Sequence, residues 1–166
     1  MNNSNLLDIG FTTDDKVISA CALMMATSDP WITLGMKYEQ CLTAFEGPCK
    51  EVYMAEYKKE LAGFIIIQVC GTFKGYIQTV CVSRDFRGQG FGKQLLSFAE
   101  ERILKISPNI FICVSSFNKG AVKLYYQLGF KLIGEFEHFL KQGFTELFLR
   151  KSVGPVLGYK AESDNE

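Results

Sequence analysis

Val80-Cys81-Val82-Ser83-Arg84-Asp85-Phe86-Arg87-Gly88-Gln89-Gly90-Phe91-Gly92-Lys93 is the stretch whose reading decides the fold. An apolar strand ends near Val82, and a helix with Leu95, Leu96, Ala99 and Ile103 on one stripe follows. Gly88, Gly90 and Gly92 remove side chains at that strand-to-helix corner. The freed main-chain amides can converge on an anion at the positive end of the helix. Arg87 and Lys93 add charge beside them. The segment is not a mononucleotide P-loop, because GxxxxGK[ST] is absent. The spacing Gly88-x-Gly90-x-Gly92 also lacks the GxGxxG order of a dinucleotide fold. Two readings stay open at this point: a pyrophosphate cradle, or a flexible turn whose glycines only permit tight geometry.

Upstream, Val52 to Tyr57, Leu61 to Val69 and Tyr76 to Val82 read as three strands of an antiparallel meander. Their turns are Lys58-Lys59-Glu60 and Gly71-Thr72-Phe73-Lys74-Gly75. Before them, Leu6 to Phe11 can form a first strand. Thr12, Thr13, Asp14 and Asp15 offer caps to a helix through Val17, Ile18, Ala20, Cys21, Leu23 and Met24. Ser28-Asp29-Pro30 punctuates the chain, and a second helix is predicted over Lys37 to Ala44, ended by Gly47-Pro48.

Downstream, Ile110 to Val114 is continuously apolar, as in a strand covered on both faces. Asn118 reads as the cap of a helix with Ala121, Leu124, Tyr125 and Leu128 inward, ended by Gly129. Phe130 to Leu140 and Phe144 to Lys151 can pair as a hairpin across Lys141-Gln142-Gly143. Its outer strand would be an edge that self-association could protect, so a homodimer is compatible with the sequence. Residues 152–166 hold few core anchors and are expected to fray. The predicted organisation is one α/β (α+β) domain over residues 1–151 with a C-terminal tail over 152–166. Its sheet is mixed, mostly antiparallel, with flanking helices.

Composition narrows the function classes. The 166 residues suffice for one domain, and 48% hydrophobic with 22% charged residues fits a globular chain. Lys plus Arg equals Asp plus Glu at 18 each, which argues against a nucleic-acid surface. No apolar run is long enough to span a membrane, and Met1 to Asn5 starts no signal segment; a cytoplasmic protein is expected. Six cysteines (Cys21, Cys41, Cys49, Cys70, Cys81, Cys113) form no CxxC pair, and His138 is the one histidine. Free thiols and no metal site are the expectation.

Arg87-Gly88-Gln89-Gly90-Phe91-Gly92 resembles motif A of the GNAT superfamily of acyl-CoA-dependent N-acetyltransferases: Gln or Arg, two residues, Gly, any residue, then Gly or Ala. Asn118-Lys119-Gly120-Ala121-Val122-Lys123-Leu124-Tyr125-Tyr126-Gln127-Leu128-Gly129-Phe130 resembles the family's later Asn-x-x-Ala-x-x-Leu-Tyr…Gly-Phe segment. The likeness is specific over about residues 50 to 151. Over residues 1 to 49 it rests on element order.

The resemblance implies an acyl-CoA N-acyltransferase fold, in which acetyl-CoA lies in a splay between the fourth and fifth strands, here Tyr76 to Val82 and Ile110 to Val114. Cys81 and Val82 would then offer backbone groups to the pantetheine arm and thioester. Arg87, Gly88, Gln89, Gly90, Phe91, Gly92 and Lys93 would hold the pyrophosphate, and Asn118 would contact the cofactor arm. It further implies transfer of an acetyl group to a primary amine of a small molecule or a protein N-terminus by direct attack. Backbone donors near Val82 would stabilise the oxyanion, and Tyr125 would protonate the leaving thiolate.

The sequence departs from the family at the general base. Gln78 and Cys113 occupy the positions where relatives carry a glutamate. Deprotonation could pass through a water, Glu46, Glu137 or His138, of which His138 is the preferred catalytic candidate. Trp31 is the candidate wall or lid of the acceptor site, with a core anchor as its other reading, and Glu137 is assigned to the acceptor side. Two alternatives remain: a non-catalytic acyl-CoA-binding or regulatory module, and a plain nucleotide-binding module.

Overall fold

The computed structural model describes residues 6–161. Seven strands, β1 (Asp8–Phe11), β2 (Lys50–Tyr57), β3 (Glu60–Gln68), β4 (Tyr76–Val82), β5 (Asn109–Ser115), β6 (Lys131–Glu137) and β7 (Thr145–Ser152), form one sheet in the order β1-β2-β3-β4-β5-β7-β6. The sheet is mostly antiparallel; β4 and β5 are the parallel pair. Their ladder registers Tyr76 with Phe111 and Ile77 with Ile112, and no further pair among the described residues. The helices are α1 (Asp15–Ala26), α2 (Trp31–Leu34), α3 (Tyr38–Leu42), α4 (Phe91–Leu104) and α5 (Lys119–Gln127). The residues group into two compact units, 1–67 with 79–99 and 68–78 with 100–166.

In the first unit, Asp14 caps α1 by accepting from the amides of Lys16 and Val17. Cys21, Ala22 and Met25 of α1, Cys41 of α3, and Val52, Phe64, Ile66 and Cys81 of the strands form one buried cluster. Burial is continuous from Ala62 to Ile67 of β3. The strand buried on both faces is therefore β3. In β5, where the sequence predicts it, Phe111 and Cys113 are only half-buried. The reason lies in side-chain size: Phe111 stacks on Phe148 at 5.7 Å and meets Phe73 edge-on, and these rings cover one face of β5 with a partly open aromatic layer. Within β3, Gly63 permits a close crossing of β4. A Cβ there would lie 2.5 Å from the Cys81 carbonyl oxygen. Gly63→Ala should cost about 1–3 kcal/mol by forcing the strands apart, read as a lowered Tm.

In the second unit, β7 pairs with β5 from Asn109↔Ser152 to Ser115↔Glu146, and β6 is the outer strand with a bulge between Leu132 and Gly134. Such a bulge blunts an exposed edge. The predicted hairpin is longer-tipped than the sequence suggests. β6 stops at Glu137 because His138 takes φ 57° and its Nδ1 accepts from the Gly143 amide at 2.9 Å. Phe139 and Leu140, expected in the strand, lie exposed in the turn. Beyond Ser152 the chain does not fray as far as Tyr159. The Val153 amide donates to Pro108, and the Tyr159 hydroxyl donates to the Leu104 carbonyl at 2.6 Å. Residues 162–166 of the predicted tail lie outside the described residues.

Two of the six cysteines overturn the expectation of free thiols: Cys49 and Cys70 are disulfide-bonded. They stand 21 positions apart, just before β2 and just after β3, so no short-range spacing signalled them. Cys21, Cys41 and Cys81 are buried free thiols, and Cys113 is half-buried. Among the described residues no helix is long and apolar enough to cross a membrane. No group of three or more His, Cys, Asp or Glu able to hold a metal ion occurs among them.

Candidate functional site

The corner after β4 carries the first group of candidates. Arg84–Phe86 make one 3-10 turn, and the chain then runs exposed through Arg87, Gly88, Gln89 and Gly90 into α4. Gly88 and Gly90 adopt φ of 77° and 82°, the left-handed region that glycine enters without penalty. A Cβ at either would meet nothing within 4 Å. Close packing therefore does not explain these glycines; an exposed backbone does. After the hydrogen bonds of the 3-10 turn, the next internal one is Gln94 N–H to the Gly90 carbonyl at 3.2 Å. The amides of Gly88 to Lys93 donate to no group among the described residues. The first amides of a helix have no internal partner and concentrate its positive end. Gly88, Gln89, Gly90 and Lys93 are exposed and Gly92 is half-buried, and their adjacent amides fit a diphosphate. Phe91 is buried, its ring packed against Tyr57 at 5.0 Å and Phe86 at 6.3 Å. Those two contacts hold the start of α4 in place.

The end of β4 is set by alternation. Ser83 N–H donates to Ala62 of β3, and the Cys81 carbonyl also faces β3 at Gly63. Val82 therefore turns its N–H and C=O to the other edge. There its carbonyl accepts from Arg87 Nε at 3.2 Å, which ties the motif arginine to the strand end. The Cys81 thiol is buried, and burial pushes its pKa up to about 12 against the smaller opposing effect of a Ser28 hydrogen bond. It is neutral and can act only through its backbone. Arg84 and Asp85, with Ala20, Leu23, Thr27 and Ser28, border a cleft of about 420 Å³ in the same unit. Trp31, the first residue of α2, packs against the buried cluster of Cys21 and Met25, which satisfies its core reading.

The second unit carries the remaining candidates. Asn118 caps α5, its side chain accepting from Ala121 N–H at 3.4 Å. Tyr125 is buried on the inner face of α5 beside Phe130, and burial raises its pKa well above the ordinary phenol value. Its neighbour Tyr126 is exposed. No enclosed side-chain polar atom among the described residues lacks a partner. The Tyr125 hydroxyl makes no hydrogen bond there and is therefore not fully enclosed, although the residue is 5% exposed. Glu137 and His138 sit exposed at the β6–β7 tip, and the His138 ring holds the turn. Glu46 is exposed in the first unit, following the 3-10 turn that ends α3.

Sequence reasoning missed one residue with chemical potential. Glu146 on β7 is 2% exposed and accepts from Ser115 Oγ at 2.6 Å. Burial raises its carboxyl pKa, partly offset by that bond. Near it, the Tyr76 hydroxyl bonds the Cys113 thiol, and burial raises both of their pKa values. A glutamate in an alternating strand carries no signal by itself; only the register opposite Ser115 exposes it.

Comparison with known proteins agrees with this layout. The model of the acetyltransferase (GNAT) family matches residues 19–130. No curated protein matches the chain. The ribosomal-protein-S18-alanine N-acetyltransferase of Escherichia coli superposes with a TM-score of 0.70 at 17% identity, over 93% of this chain and 100% of that one. A GNAT family acetyltransferase from Elizabethkingia anophelis, solved with acetyl-CoA bound, superposes with a TM-score of 0.69 at 19% identity, over 92% and 100%. At such identities the structural likeness speaks for the fold. The family match spans both the glycine corner and the capped helix of Tyr125, and on it the chain belongs to the GNAT family of acetyltransferases.

Proposed function

We propose that the protein transfers the acetyl group of acetyl-CoA to a primary amine, on a small molecule or a protein N-terminus, by direct attack. The observation that carries this reading is the unpartnered amides at the start of α4, those of Gly88, Gln89, Gly90 and Lys93 on exposed residues and that of Gly92 on a half-buried one. They suit the diphosphate of a CoA thioester without requiring a metal or a basic groove. The neighbour solved with acetyl-CoA supports the same donor. Arg87 and Lys93 add positive charge. Cys81 turns its carbonyl to β3, so the main chain of Val82 holds the pantetheine arm, and the Val82 amide, turned away from β3, supports charge developing on the carbonyl oxygen. The thioester supplies an activated acyl group; the chain's own task is to orient it, deliver a neutral amine and protonate the departing sulfur.

Tyr125 is the proposed acid. Its raised pKa keeps the phenol protonated throughout the neutral range, so it can donate but not serve as a base. A thiol with an ordinary pKa near 8.5 already leaves tolerably as a thiolate. The acid's contribution should therefore be modest. Tyr125→Phe is expected to lower kcat roughly tenfold while leaving acetyl-CoA affinity intact. Steady-state kinetics with thiol detection and calorimetry separate the two quantities; an unchanged kcat removes the acid role.

Gln78 and Cys113 at the family's glutamate positions favour a second reading, an acyl-CoA-binding module without turnover. Calorimetric titration of acetyl-CoA, CoA, ATP and NAD tests donor recognition. A panel of small amines and free-N-terminus peptides, followed by thiol release, then separates enzyme from binding module.

A further inference from the structure

The proposed reaction lacks a base at either position where relatives keep one, and the second unit holds a carboxylate that has no structural reason to be there. Ser115 of β5 is registered directly opposite Glu146 of β7. Cys113, two residues earlier, shares the face of Ser115 by strand alternation. Glu146 therefore projects on the same face as Cys113, one residue pair further along. The groups facing it are the Ser115 hydroxyl, the Cys113 thiol from β5 and the Tyr76 phenol from β4, while Phe136 lies opposite on β6. Ionised Glu146 and ionised Tyr125 would each raise the pKa of Tyr76, so the carboxylate and the proposed acid both lie near this phenol.

The energetics single Glu146 out. A carboxylate can accept several hydrogen bonds, and burying one without a cation is costly. Glu146 has one such bond, to Oε1, and no ion pair among the described residues. Glutamine would keep the Ser115 bond without burying a charge. Oε2 makes no hydrogen bond among the described residues and, since no fully enclosed side-chain polar atom there lacks a partner, it keeps a narrow opening in a residue that is 2% exposed.

We propose that Glu146 is the general base of the acetyl transfer, receiving on Oε2 a proton from the acceptor's ammonium group. The proposal rests on the acetyltransferase reading above. R–NH3⁺ loses one proton to Glu146 and becomes a neutral nucleophile. Its lone pair forms the N–C bond as the C–S bond breaks. The sulfur takes the Tyr125 proton, the second N–H proton returns to Tyr125, and Glu146 discharges its proton to water. One proton is released per turnover, as the sum of ammonium plus thioester to amide plus thiol requires. A carboxyl whose pKa is lifted by burial accepts a proton at neutral pH more readily than a surface one.

The test compares wild-type with Glu146→Gln and Glu146→Asp. Wild-type acetyl-CoA affinity is measured first by calorimetry; its absence overturns the acetyltransferase reading and this inference with it. The pH profile of kcat/KM is then taken with the best acceptor from a panel of spermidine, tyramine and a peptide with a free N-terminal alanine. Glu146→Gln should bind acetyl-CoA as wild-type does and lose roughly a hundredfold in kcat/KM at pH 7. Its rate should regain ground only as the pH approaches the amine's own pKa, and Glu146→Asp should restore part of the wild-type profile. A Glu146→Gln enzyme within twofold of wild-type with the same acid limb overturns the inference and leaves the acetyltransferase reading standing. Carbon-13 NMR titration of the Glu146 carboxyl in the acetyl-CoA complex decides independently of any acceptor. Titration above the ordinary glutamate range supports the inference; titration with the surface carboxylates overturns it.

Discussion

Gly75→Ala is expected to destabilise the protein by about 3–5 kcal/mol, the largest stability loss of any single glycine replacement considered. Two independent costs add. Gly75 holds φ at 91°, where an L side chain is strained by about 1–3 kcal/mol. A Cβ there would also stand 2.4 Å from the Asn109 carbonyl oxygen and 2.7 Å from Ile103 Cγ2. The first of these is backbone and the second belongs to a fully buried side chain, so neither can swing aside. Overpacking of this kind costs a further 1–3 kcal/mol or so. The site is tightly held, with the Gly75 amide donating to Gln68 and its carbonyl accepting from Phe111. It is the link through which the chain enters β4 in register with β5. Against a typical total stability of about 5–15 kcal/mol, thermal unfolding should fall by roughly 10 °C. Gly71→Ala is the matched control, because Gly71 has φ 81° but no atom within 4 Å of its Cβ position. Equal losses in the two variants would mean that backbone strain alone, and not the crossing at Asn109, accounts for the effect.

The comparison of these glycines bears on what the sequence could disclose. The corner Gly88-x-Gly90 and the turn ending at Gly75 look alike as strings: both are glycine-rich and both adjoin a strand. Local chemistry announces a positive φ but not what stands beside it, and that neighbour decides whether a glycine serves packing or an open backbone. The α4 stripe, the Asn118 cap and the order of strands were legible because each follows from periodicity or a cap within about ten residues. The short ladder of β4 with β5 was named through family resemblance; nothing in the residues 76–82 and 110–114 taken alone shortens it. Continuous burial was assigned to β5, since a run of apolar residues looks the same whether both faces are covered or one carries stacked rings such as Phe111 and Phe148. The disulfide-bonded Cys49 and Cys70 were invisible for the same reason as Glu146. The two cysteines stand 21 positions apart, and Glu146 stands 31 from its partner Ser115, distances over which a sequence carries no local signal. His138 illustrates the converse. Its uniqueness in the sequence points to chemistry, while its ring is engaged in holding a turn through Gly143.

Gly90→Asp should abolish most acetyl-CoA binding while leaving the fold at least as stable as wild-type, a pairing that structural damage cannot produce. The position immediately precedes α4, and its Cβ would point into open space. Aspartate tolerates the left-handed region better than most residues, so the strain at φ 82° is at the low end of its range. Placed before the first helical residue, a carboxylate is favoured by the helix dipole and can accept from the following amides. Those are the amides of Gly92 and Lys93, which the proposed function reserves for phosphate oxygens. The substitution thus offers the helix an internal anion in place of the ligand's and repels the diphosphate besides. Loss of two or so charge-assisted hydrogen bonds at about 1.5–3 kcal/mol each predicts an affinity drop of at least a hundredfold. Calorimetry reads the affinity, and thermal unfolding without ligand should shift by no more than about 2 °C. Gly71→Asp, with the same backbone requirement and no helix behind it, should bind acetyl-CoA normally. If Gly90→Asp retained wild-type affinity, the open amides of this corner would not be where the diphosphate lies, and the donor assignment built on them would fall.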